Sequence, residues 1–280
     1  MTDSSGRIGK PGMNRNSEQF VRLPFAEIRR SSESSRLYKP HIHPSFVIGA
    51  IDRGSVLYRI GGREAVLSTG SLALINPGVL HSCNPGTGES RSYSVLFLDR
   101  DWCIRIQNSL WEGEGFRPAG EPLLEDPVLY RRLNQVLRTL LNERTDPLEQ
   151  EEILAELAEK VFLKACRGTR APQEPSGDVE AMRLRLESDL DLPLTLEELS
   201  RDLRGNPFTL LRQFRSSMGI TPHAYRLNCR IEKARQLLRQ NLELSRVALE
   251  CGFFDQSHFH RHFKAATAVT PREYQINFIQ

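Results

Sequence analysis

The first third of the chain alternates short apolar segments with turn residues. The apolar segments span residues 46–51, 56–60, 65–67, 72–75 and 93–98. Gly61-Gly62 separates two of them, which is a common signal of a tight hairpin. Strands this short and this evenly spaced are typical of a small β-barrel or jelly roll. The pattern therefore predicts an all-β domain over residues 20–112.

Two longer segments in the middle of the chain repeat apolar residues at helical spacing. Each starts with an Asp-Pro pair, at Asp126-Pro127 and at Asp146-Pro147. Aspartate caps a helix and proline is favoured at its first position, so both pairs predict helix starts. The apolar stripes must be buried, either on the barrel or on a partner chain. Residues 113–167 are thus predicted to form a helical connecting region, which is also a candidate homodimer interface.

Two polar segments flank these predicted domains. Residues 1–19 lack apolar periodicity and predict a disordered tail. Residues 168–177, GTRAPQEPSG, contain two prolines and two glycines but no large apolar side chain. That composition predicts a linker in front of the last part of the chain.

The last part of the chain, residues 178–280, has helical periodicity and contains a repeat. Phe259 and Phe263 follow Leu210 and Phe214 at an offset of 49 residues. Each copy reads as a short helix, a turn and a second helix with an apolar stripe and a polar face. Such an anchored polar face fits the major groove of DNA. The helix that joins the copies, roughly 28 Å long, would hold the two faces close to one duplex turn apart.

Composition and charge add limits to this picture. The chain has 280 residues, enough for about two domains. Its net charge of +3 does not by itself indicate a nucleic-acid partner, but residues 204–239 hold eight Arg or Lys and one acidic residue. That segment is either a phosphate-binding surface or a solvated helix face. Five scattered cysteines without a CxxC pair support neither a zinc finger nor a disulfide framework, and they favour reduced thiols.

Membrane and export signals are missing from the sequence pattern. The first residues lack an apolar signal core, and no apolar run approaches the about 20 residues that cross a bilayer. We therefore expect a soluble, cytoplasmic protein with no membrane partner.

Three histidines form a chemical pattern in the first domain. His41 and His43 lie on one side of an extended segment, since side chains alternate along a strand, and His81 follows a Pro-Gly turn. The arrangement resembles the HxH and PGxxH motifs of cupins, but apolar residues stand where metal cupins carry a glutamate. Three imidazoles alone are still a ligand set for Zn²⁺ or Fe²⁺. The missing carboxylate favours a barrel with no metal, no cofactor and no catalytic residue.

A barrel of this size can instead hold one small ligand. On one predicted strand, Tyr93, Val95 and Phe97 share a face that can point inward. The polar residues expected to line an effector pocket are His43, Arg53, His81 and Tyr93. The alternative is that these are rim or core residues that touch no ligand.

The second copy of the repeat carries the short motifs VALECGF, QSHF, RHFK and TPREY. Through them, residues 179–280 resemble the DNA-binding domain of the AraC/XylS family of bacterial transcription regulators. Residues 20–112 resemble the cupin-like effector domain of that family through the motifs HxH, RG, GRE and PGxxH and a following strand. The resemblance implies an α+β multidomain protein with an N-terminal cupin-like β-barrel, a helical linker region and a C-terminal all-α domain with two helix-turn-helix units. It implies double-stranded DNA, RNA polymerase and an unknown small-molecule effector as partners, and activation more often than repression.

The resemblance also implies which residues contact DNA. By position they are Phe208, Thr209, Arg212 and Gln213 in the first unit, and Gln256, Ser257, His258, His260 and Arg261 in the second. Arginine can fork onto guanine and glutamine onto adenine, but phosphate contact is as common a role. The first unit departs from the family pattern, because Arg204-Gly205 stands where a glycine and an apolar residue are usual. This departure predicts a first unit that docks more loosely or binds DNA more weakly than the second.

Two other functions stay open on the sequence. One is a metal-dependent cupin enzyme with a helical appendage, which stoichiometric metal lost on His43→Ala would indicate. The other is a DNA-binding regulator that responds to no small molecule, which failure of every metabolite in a thermal-shift screen would indicate.

Overall fold

The computed structural model describes residues 18–111, 115–142, 146–168 and 177–279. The strands are β1 (Glu18–Leu23), β2 (Ala26–Ser34), β3 (Phe46–Arg53), β4 (Ser55–Ile60), β5 (Arg63–Ser68), β6 (Leu72–Ile75), β7 (His81–Asn84), β8 (Arg91–Leu98) and β9 (Leu123–Leu124). The helices are α1 (Arg100–Leu110), α2 (Pro127–Asn142), α3 (Pro147–Ala165), α4 (Gly177–Glu187), α5 (Leu196–Asp202), α6 (Pro207–Met218), α7 (Pro222–Arg239), α8 (Leu244–Glu250), α9 (Gln256–Thr267) and α10 (Pro271–Ile279).

The strands form two antiparallel sheets that pack against each other. One sheet has six strands in the order β1-β2-β8-β3-β6-β9, and the other has three in the order β5-β4-β7. At the centre of the larger sheet, Val47 of β3 pairs with Ile75 on one side and with Phe97 on the other. This β-rich first part followed by helices is the predicted fold class, which is confirmed.

The larger sheet is covered on both faces. Along β3, Phe46 and Ile48 belong to the core beneath the helices, whereas Val47 and Ile51 belong to the core between the sheets. Side chains alternate along a strand, so a strand with two covered faces is an unbroken apolar run. This is why the short apolar segments of the sequence marked these strands so clearly.

The apolar stripes of α2 and α3 pack on the outer face of the larger sheet within the same chain. Leu133 and Leu137 of α2 and Leu157 and Val161 of α3 are almost completely buried in that core. Of the two alternatives for these stripes, burial on the barrel is thus the one that the structure shows. A homodimer needs another surface.

α1 lies in a segment that the sequence pattern placed in the all-β domain, so that expectation is wrong there. Asp99 caps the helix by accepting a hydrogen bond from the Trp102 amide at 2.8 Å. Trp102 is 1% exposed, stacks on Phe25 at 4.9 Å between ring centroids, and donates from its indole to Glu151. The helix therefore covers the end of the sheet, and its large buried tryptophan, rather than its periodicity, fixes it there.

β1 and β2 were not marked by apolar runs because they are amphipathic with a polar inner face. Ile28 of β2 packs beneath the helices, while Glu27 and Arg29 point the other way and are also buried. Glu18 and Gln19, placed in the predicted tail, belong to β1. Residues 1–17 of that tail and 169–176 of the predicted linker lie outside the described residues.

The helices after residue 177 enclose two separate cores. The first contains Leu199 of α5 and Phe214 of α6, and the second contains Val247 of α8 and Phe263 of α9. Two helix-turn-helix units, as predicted from the repeat, follow one another on either side of α7. Among the described helices, each is too short or too polar to cross a membrane.

Candidate functional site

The turns of the two helix-turn-helix units begin with the same backbone conformation. Leu203 after α5 and Cys251 after α8 have φ of −96° and −95°, and the next residues, Arg204 and Gly252, have φ of 51° and 72°. In each turn three successive amides bond back to carbonyls of the preceding helix, which satisfies the free carbonyls of its last turn. Both units therefore end their first helix in the same left-handed cap.

In the first unit, a leucine fills the space behind this cap. A β-carbon on Gly205 would stand 2.9 Å from Leu210 Cδ1, so the two residues are in close contact. Leu210 is 4% exposed, and Phe214 one turn later is fully buried. Asn206 caps α6 by accepting from the Thr209 amide at 3.1 Å. The apolar residue that the sequence lacks in this turn is thus supplied by α6 itself.

The second unit has a longer turn that supplies its own apolar residue. Five residues, 251–255, separate α8 from α9, whereas four, 203–206, separate α5 from α6. Phe253 is 3% exposed and lies 5.1 Å from the Phe259 ring, whereas Phe254 is 89% exposed. Asp255 caps α9 by accepting from the His258 amide at 2.6 Å.

The polar faces of α6 and α9 are accessible. The predicted DNA-contacting residues with exposed side chains are Thr209, Arg212, Gln213, Gln256, Ser257, His260 and Arg261. His258 is partly buried, because its Nδ1 accepts the Phe254 amide at 3.3 Å and its ring packs edge-on against Phe253. The side chain of Phe208 is outside the described part of the chain. His258 thus also holds the turn, while the exposed residues are available to a nucleic acid.

Most basic residues between 204 and 239 are used inside the protein. Arg226, Arg230 and Lys233 of α7 donate to backbone carbonyls. Arg235 and Arg239 form ion pairs with the first domain. Five of the eight basic residues thus have partners within the protein, so the segment is not simply a solvated helix face. The exposed basic residues that remain are Arg204, Arg212 and Arg215.

α7 is the spacer between the two units. Thr221 caps it by accepting from the Ala224 amide at 3.2 Å, and its 18 residues correspond to about 27 Å. Tyr225 near its start belongs to the first core, and Leu238 near its end belongs to the second. Because one helix is packed into both cores, the separation of the two polar faces is fixed.

A cavity of about 100 Å³ lies between the two sheets of the first domain. The structure places three of the predicted effector residues, His43, His81 and Tyr93, on its wall, together with apolar side chains such as Val47 and Phe97. Val95 lies there as well, as the strand pattern indicated.

Arg53 does not line this cavity, so its assignment to the pocket is corrected. Its side chain is 79% exposed, and its guanidinium lies 3.5 Å from the Glu33 carboxylate. β3 shifts register between Ile51 and Arg53, so that Ile51 pairs with Tyr93 and Arg53 pairs with Ser92. Arg53 therefore leaves the face on which Tyr93 lies.

The predicted pocket set left out several polar residues of the cavity wall, among them Arg29, Tyr38, His41, Arg91 and Ser94. A signal existed for Arg91, because it lies two residues before Tyr93 and so shares its face on β8. The sequence around Arg29 does not indicate that its side chain faces the cavity. The polar face of a strand is normally expected to face solvent, but the polar face of β2 points inward.

Arg91 is a buried cation at the wall of the cavity. It is 2% exposed, donates to the carbonyls of Ser34, Arg36 and Cys83, and stacks 4.8 Å above the Tyr93 ring. Within the described residues, no carboxylate pairs with it. Arg29, in contrast, forms an ion pair with Glu18 at 3.0 Å. The cavity thus carries excess positive charge.

Three imidazoles meet at the same cavity. The rings of His41 and His43 lie 4.5 Å and 4.7 Å from the ring of His81. Burial lowers the pKa of His41, and lowers that of His81 to about 3. Burial, followed by the neighbouring His81 and His41, lowers the pKa of His43 well below its ordinary value. All three rings are therefore neutral at pH 7.

The two domains meet beside these histidines. A second cavity, of about 60 Å³, is lined by residues of both domains and shares Arg29, Tyr38, His41, His43 and Phe97 with the first. The amide of Lys39 donates to the carbonyl of Ala265 in α9, and the amide of Ile42 donates to Asn228 of α7. A ligand in the first cavity would therefore lie next to residues that touch the DNA-binding helices.

Glu27 of β2 forms the main ionic contact of this interface. Its carboxylate lies 3.0 Å from Arg235 and also pairs with Arg239. Both arginines also donate to the hydroxyl of Tyr274. Burial alone would lower the pKa of Arg235, but Tyr274, Glu232 and Glu27 outweigh it and hold that pKa well above its ordinary value. This ion-pair group, Glu27 with Arg235 and Arg239, couples β2 to the C-terminal end of α7.

Comparison with known proteins places the chain in a family. The pattern of the AraC-like ligand binding domain matches residues 26–158, and that of a helix-turn-helix domain matches residues 199–276. The HTH-type transcriptional regulator YbfI of Bacillus subtilis is 30% identical over 78% of this chain and 80% of its own length. The HTH-type transcriptional activator RhaR of Cronobacter sakazakii is 31% identical over 84% of this chain and 86% of its own length.

The same architecture is present in a solved structure. Apo ToxT from Vibrio cholerae superposes with a TM-score of 0.64 at 17% identity, covering 95% of this chain and all of that chain. This likeness shows a shared fold, with a β domain followed by the helical DNA-binding domain. Together with the relatives, it establishes that this chain belongs to the AraC family of transcription regulators, which join a ligand-binding domain to a helix-turn-helix DNA-binding domain.

Proposed function

We propose that α6 and α9 enter successive major grooves of one promoter and that α9 contributes more of the sequence choice. The observation that carries this proposal is the pair of exposed polar faces, joined by a single helix packed into both cores. The residues proposed to contact base edges are the predicted DNA-contacting residues. On α9, Arg261 is proposed to bind a guanine edge and Gln256 an adenine edge. His258 is assigned a supporting role, because its ring also holds the turn.

Genome-wide occupancy of the protein on bacterial DNA tests this proposal. We expect enrichment at a small number of promoters, and binding of those sites in vitro that survives moderate salt. The proposal would be contradicted if no promoter were enriched and the protein bound all DNA alike, with an affinity that falls steeply as salt rises. That result would mean non-specific phosphate binding.

The effector is proposed to be a small, largely apolar compound with an anionic group. The cavity wall is mostly apolar, and Arg91 is a buried cation without a carboxylate partner among the described residues. The structure of ToxT, which has a similar fold, has been solved with an unsaturated fatty acid bound, and this supports an apolar anion as the class of effector. His43, His81 and Tyr93 are proposed to contact the effector, and Arg53 is removed from that set.

A thermal-shift series can test the effector class. Carboxylic acids of increasing apolar size are compared with the corresponding alcohols, which keep the body but lose the charge. We expect stabilisation by some acids and none by their alcohols, and loss of that preference in Arg91→Gln, whose side chain carries no positive charge. Equal shifts with acids and alcohols would contradict an anionic effector.

Effector binding is proposed to act through the interface of the two domains. Five side chains line both cavities, so a ligand that displaces them changes the surface against which α7 and α9 rest. The ligand would favour one arrangement of the domains and so one affinity for DNA.

The Glu27 ion-pair group allows a test of this coupling. Glu27→Gln removes the carboxylate that pairs with both Arg235 and Arg239, and Arg235 keeps Glu232. Breaking a buried ion pair in this way costs about 3–5 kcal/mol. We expect separate unfolding of the two domains in calorimetry where the wild type unfolds in one transition. Glu33→Gln, which removes the exposed partner of Arg53, is the matched control. A single unchanged transition in Glu27→Gln would show that this contact does not couple the domains.

Two further partners are proposed. RNA polymerase is the partner through which a promoter-bound regulator of this family would act, in the cytoplasm. A homodimer is proposed through the outer side of α2 and α3, since their inner stripes are already buried while Val128, Leu148 and Leu163 are exposed. Light scattering that shows only monomer at micromolar concentration would argue against the dimer. The similarity to transcription regulators supports regulation rather than catalysis.

A further inference from the structure

Backbone pairing and hydrogen bonds to backbone carbonyls position the three imidazoles at the cavity. His41 is paired with His81 across an antiparallel bridge, in which each amide donates to the other carbonyl at 3.1 Å. His43 lies two residues further along the same extended segment and therefore on the same side. One ring nitrogen of each histidine lies within 4.8 Å of those of the other two.

The hydrogen bonds of the rings determine which nitrogen carries the proton. The Nδ1 atoms of His41, His43 and His81 lie 2.8, 3.2 and 2.9 Å from the backbone carbonyls of Lys39, Ser45 and Val79. A carbonyl only accepts, so each Nδ1 must donate. A neutral ring then has its lone pair at Nε2.

Among the described residues, the hydrogen bonds of these rings are made at Nδ1, so the Nε2 lone pairs are available to a ligand. Three such lone pairs close to one point make an unusual group. Metal-binding histidines in proteins show this same arrangement, in which the second nitrogen donates to a carbonyl and fixes the ring. The carbonyls of Lys39, Ser45 and Val79 would supply that support here.

We propose that His41, His43 and His81 bind one divalent transition-metal ion, with zinc as the probe, through their Nε2 atoms. Three nitrogens around a tetrahedral zinc ion stand about 3.4 Å apart at Zn–N distances of about 2.0–2.1 Å. The observed separations, up to 4.8 Å, require the rings to close by a small side-chain rotation. Neutral imidazoles select zinc and its neighbours over magnesium and calcium, which prefer oxygen.

The chemistry of this donor set also determines the fourth ligand. Three neutral imidazoles leave the charge of the ion uncompensated, and Arg29 and Arg91 on the cavity wall add to it. The open position of the ion would face the cavity, so the ligand that fits it is an anion. The metal would thereby join the extended segment 39–43, which contacts α7 and α9, to the wall of the effector cavity.

Metal binding can be measured on the full chain without DNA or effector. Protein stripped with a chelator is titrated with Zn²⁺, and metal content is measured after gel filtration. Co²⁺ is used in parallel, because a four-coordinate site gives an intense visible spectrum that non-specific binding lacks. We expect about one zinc per chain and a rise in the unfolding temperature of the protein.

Single substitutions show whether the ion is at this site. His43→Ala and His81→Ala are each expected to lower zinc affinity at least tenfold and to abolish the cobalt spectrum. His41→Gln is the milder variant, because His41 is only partly buried, and circular dichroism verifies that each variant is folded. His223→Ala and His262→Ala are the matched controls, and both are expected to bind like the wild type.

The control at His262 is chosen because another histidine pair exists. His258 and His262 lie one turn apart on α9 with ring centroids 4.6 Å apart, so they could hold zinc by themselves. Zinc lost in His262→Ala but kept in His43→Ala would overturn the proposal, as would no stoichiometric zinc in the wild type. Neither outcome involves promoter binding, so the proposed function can fail or hold separately.

Discussion

The two helix-turn-helix units have the same turn but fill it in different ways. In the first, Arg204 takes the left-handed position and Leu210 covers Gly205 from the next helix. In the second, Gly252 takes that position and Phe253 fills the space from within a turn that is one residue longer. A turn of this kind therefore needs an apolar side chain at its centre, but the chain can supply it from either side.

The surroundings of the two turns differ more than the turns themselves. A β-carbon on Gly252 would stand 2.2 Å from the carbonyl oxygen of Leu190, which is backbone and cannot move aside easily. Arg204 already has a β-carbon and is exposed. The second turn is thus tightly enclosed by the segment before α5, whereas the first is open to solvent.

The largest expected effect is on stability at this enclosed turn. Gly252→Ala adds a β-carbon at φ 72° and against a backbone oxygen, so we expect a loss of more than about 3 kcal/mol in the free energy of unfolding. Arg204→Ala, at the equivalent position of the first unit, is expected to change it by less than about 1 kcal/mol. Urea unfolding measures both. Similar losses in the two variants would remove the distinction between the turns.

The next effect concerns DNA. Arg261→Ala is expected to weaken binding to a mapped operator by about 1–3 kcal/mol and to relax the choice of one base pair. Arg212→Ala is expected to weaken binding to all sequences alike and to lower the salt slope by about 1. Fluorescence anisotropy over a salt series separates the two outcomes.

Arg105→Ala, an exposed change on α1, is the control for lost positive charge. Arg212→Ala could instead lose as much operator affinity and as much base preference as Arg261→Ala. The two units would then contribute equally to sequence recognition, and the prediction of a weaker first unit would be contradicted.

A smaller difference is expected at the helix caps. Asn206→Ala and Asp255→Ala each remove a side-chain acceptor from the first turn of a reading helix, at a cost of about 1 kcal/mol. The loss in the free energy of unfolding should be about a few tenths of a kcal/mol larger for Asp255→Ala. The negative charge of Asp255 also interacts with the helix dipole, which contributes about 0.3–1 kcal/mol. Thermal unfolding at low salt measures the difference, which should shrink at high salt. An excess for Asn206 would contradict the charge argument.

The smallest expected effect is at the extra residue of the second turn. Phe254 is 89% exposed, so Phe254→Ser should change the free energy of unfolding by less than about 0.5 kcal/mol. Phe253→Ser, its buried neighbour, is the contrast and should be strongly destabilising. A large loss in Phe254→Ser would mean that the longer turn uses both aromatic rings.

The positions of the reading helices could be predicted from local sequence. Asp255 and Asn206 mark helix starts, and Phe259 and Phe263 mark the buried stripe, because capping and helical periodicity act within a few residues. The role of α7 could not be predicted in this way. Its arginines look alike in sequence, and only their neighbours in space turn Arg226 toward carbonyls and Arg235 toward Glu27.

The cavity shows the same limit for strands. Tyr93 could be placed on an inner face because its strand alternates, and the histidine motifs indicated His43 and His81. Arg53 was predicted to lie with them, but a register shift in β3 turns it outward. Arg29 was hidden, because a strand with a polar inner face has the same pattern as a strand with a polar outer face.

The sequence by itself determined the capped helices of the last part of the chain, the apolar strands of the first and the repeat, since these depend on interactions between residues close along the chain. It did not determine α1, β1 or β2. Only the tertiary structure decided which basic residues stay free for DNA, where the apolar stripes of α2 and α3 are buried, and that three histidines turn their free nitrogens toward one point. Those outcomes depend on contacts between residues far apart in the chain, which burial and hydrogen-bond satisfaction settle only when the whole molecule is folded.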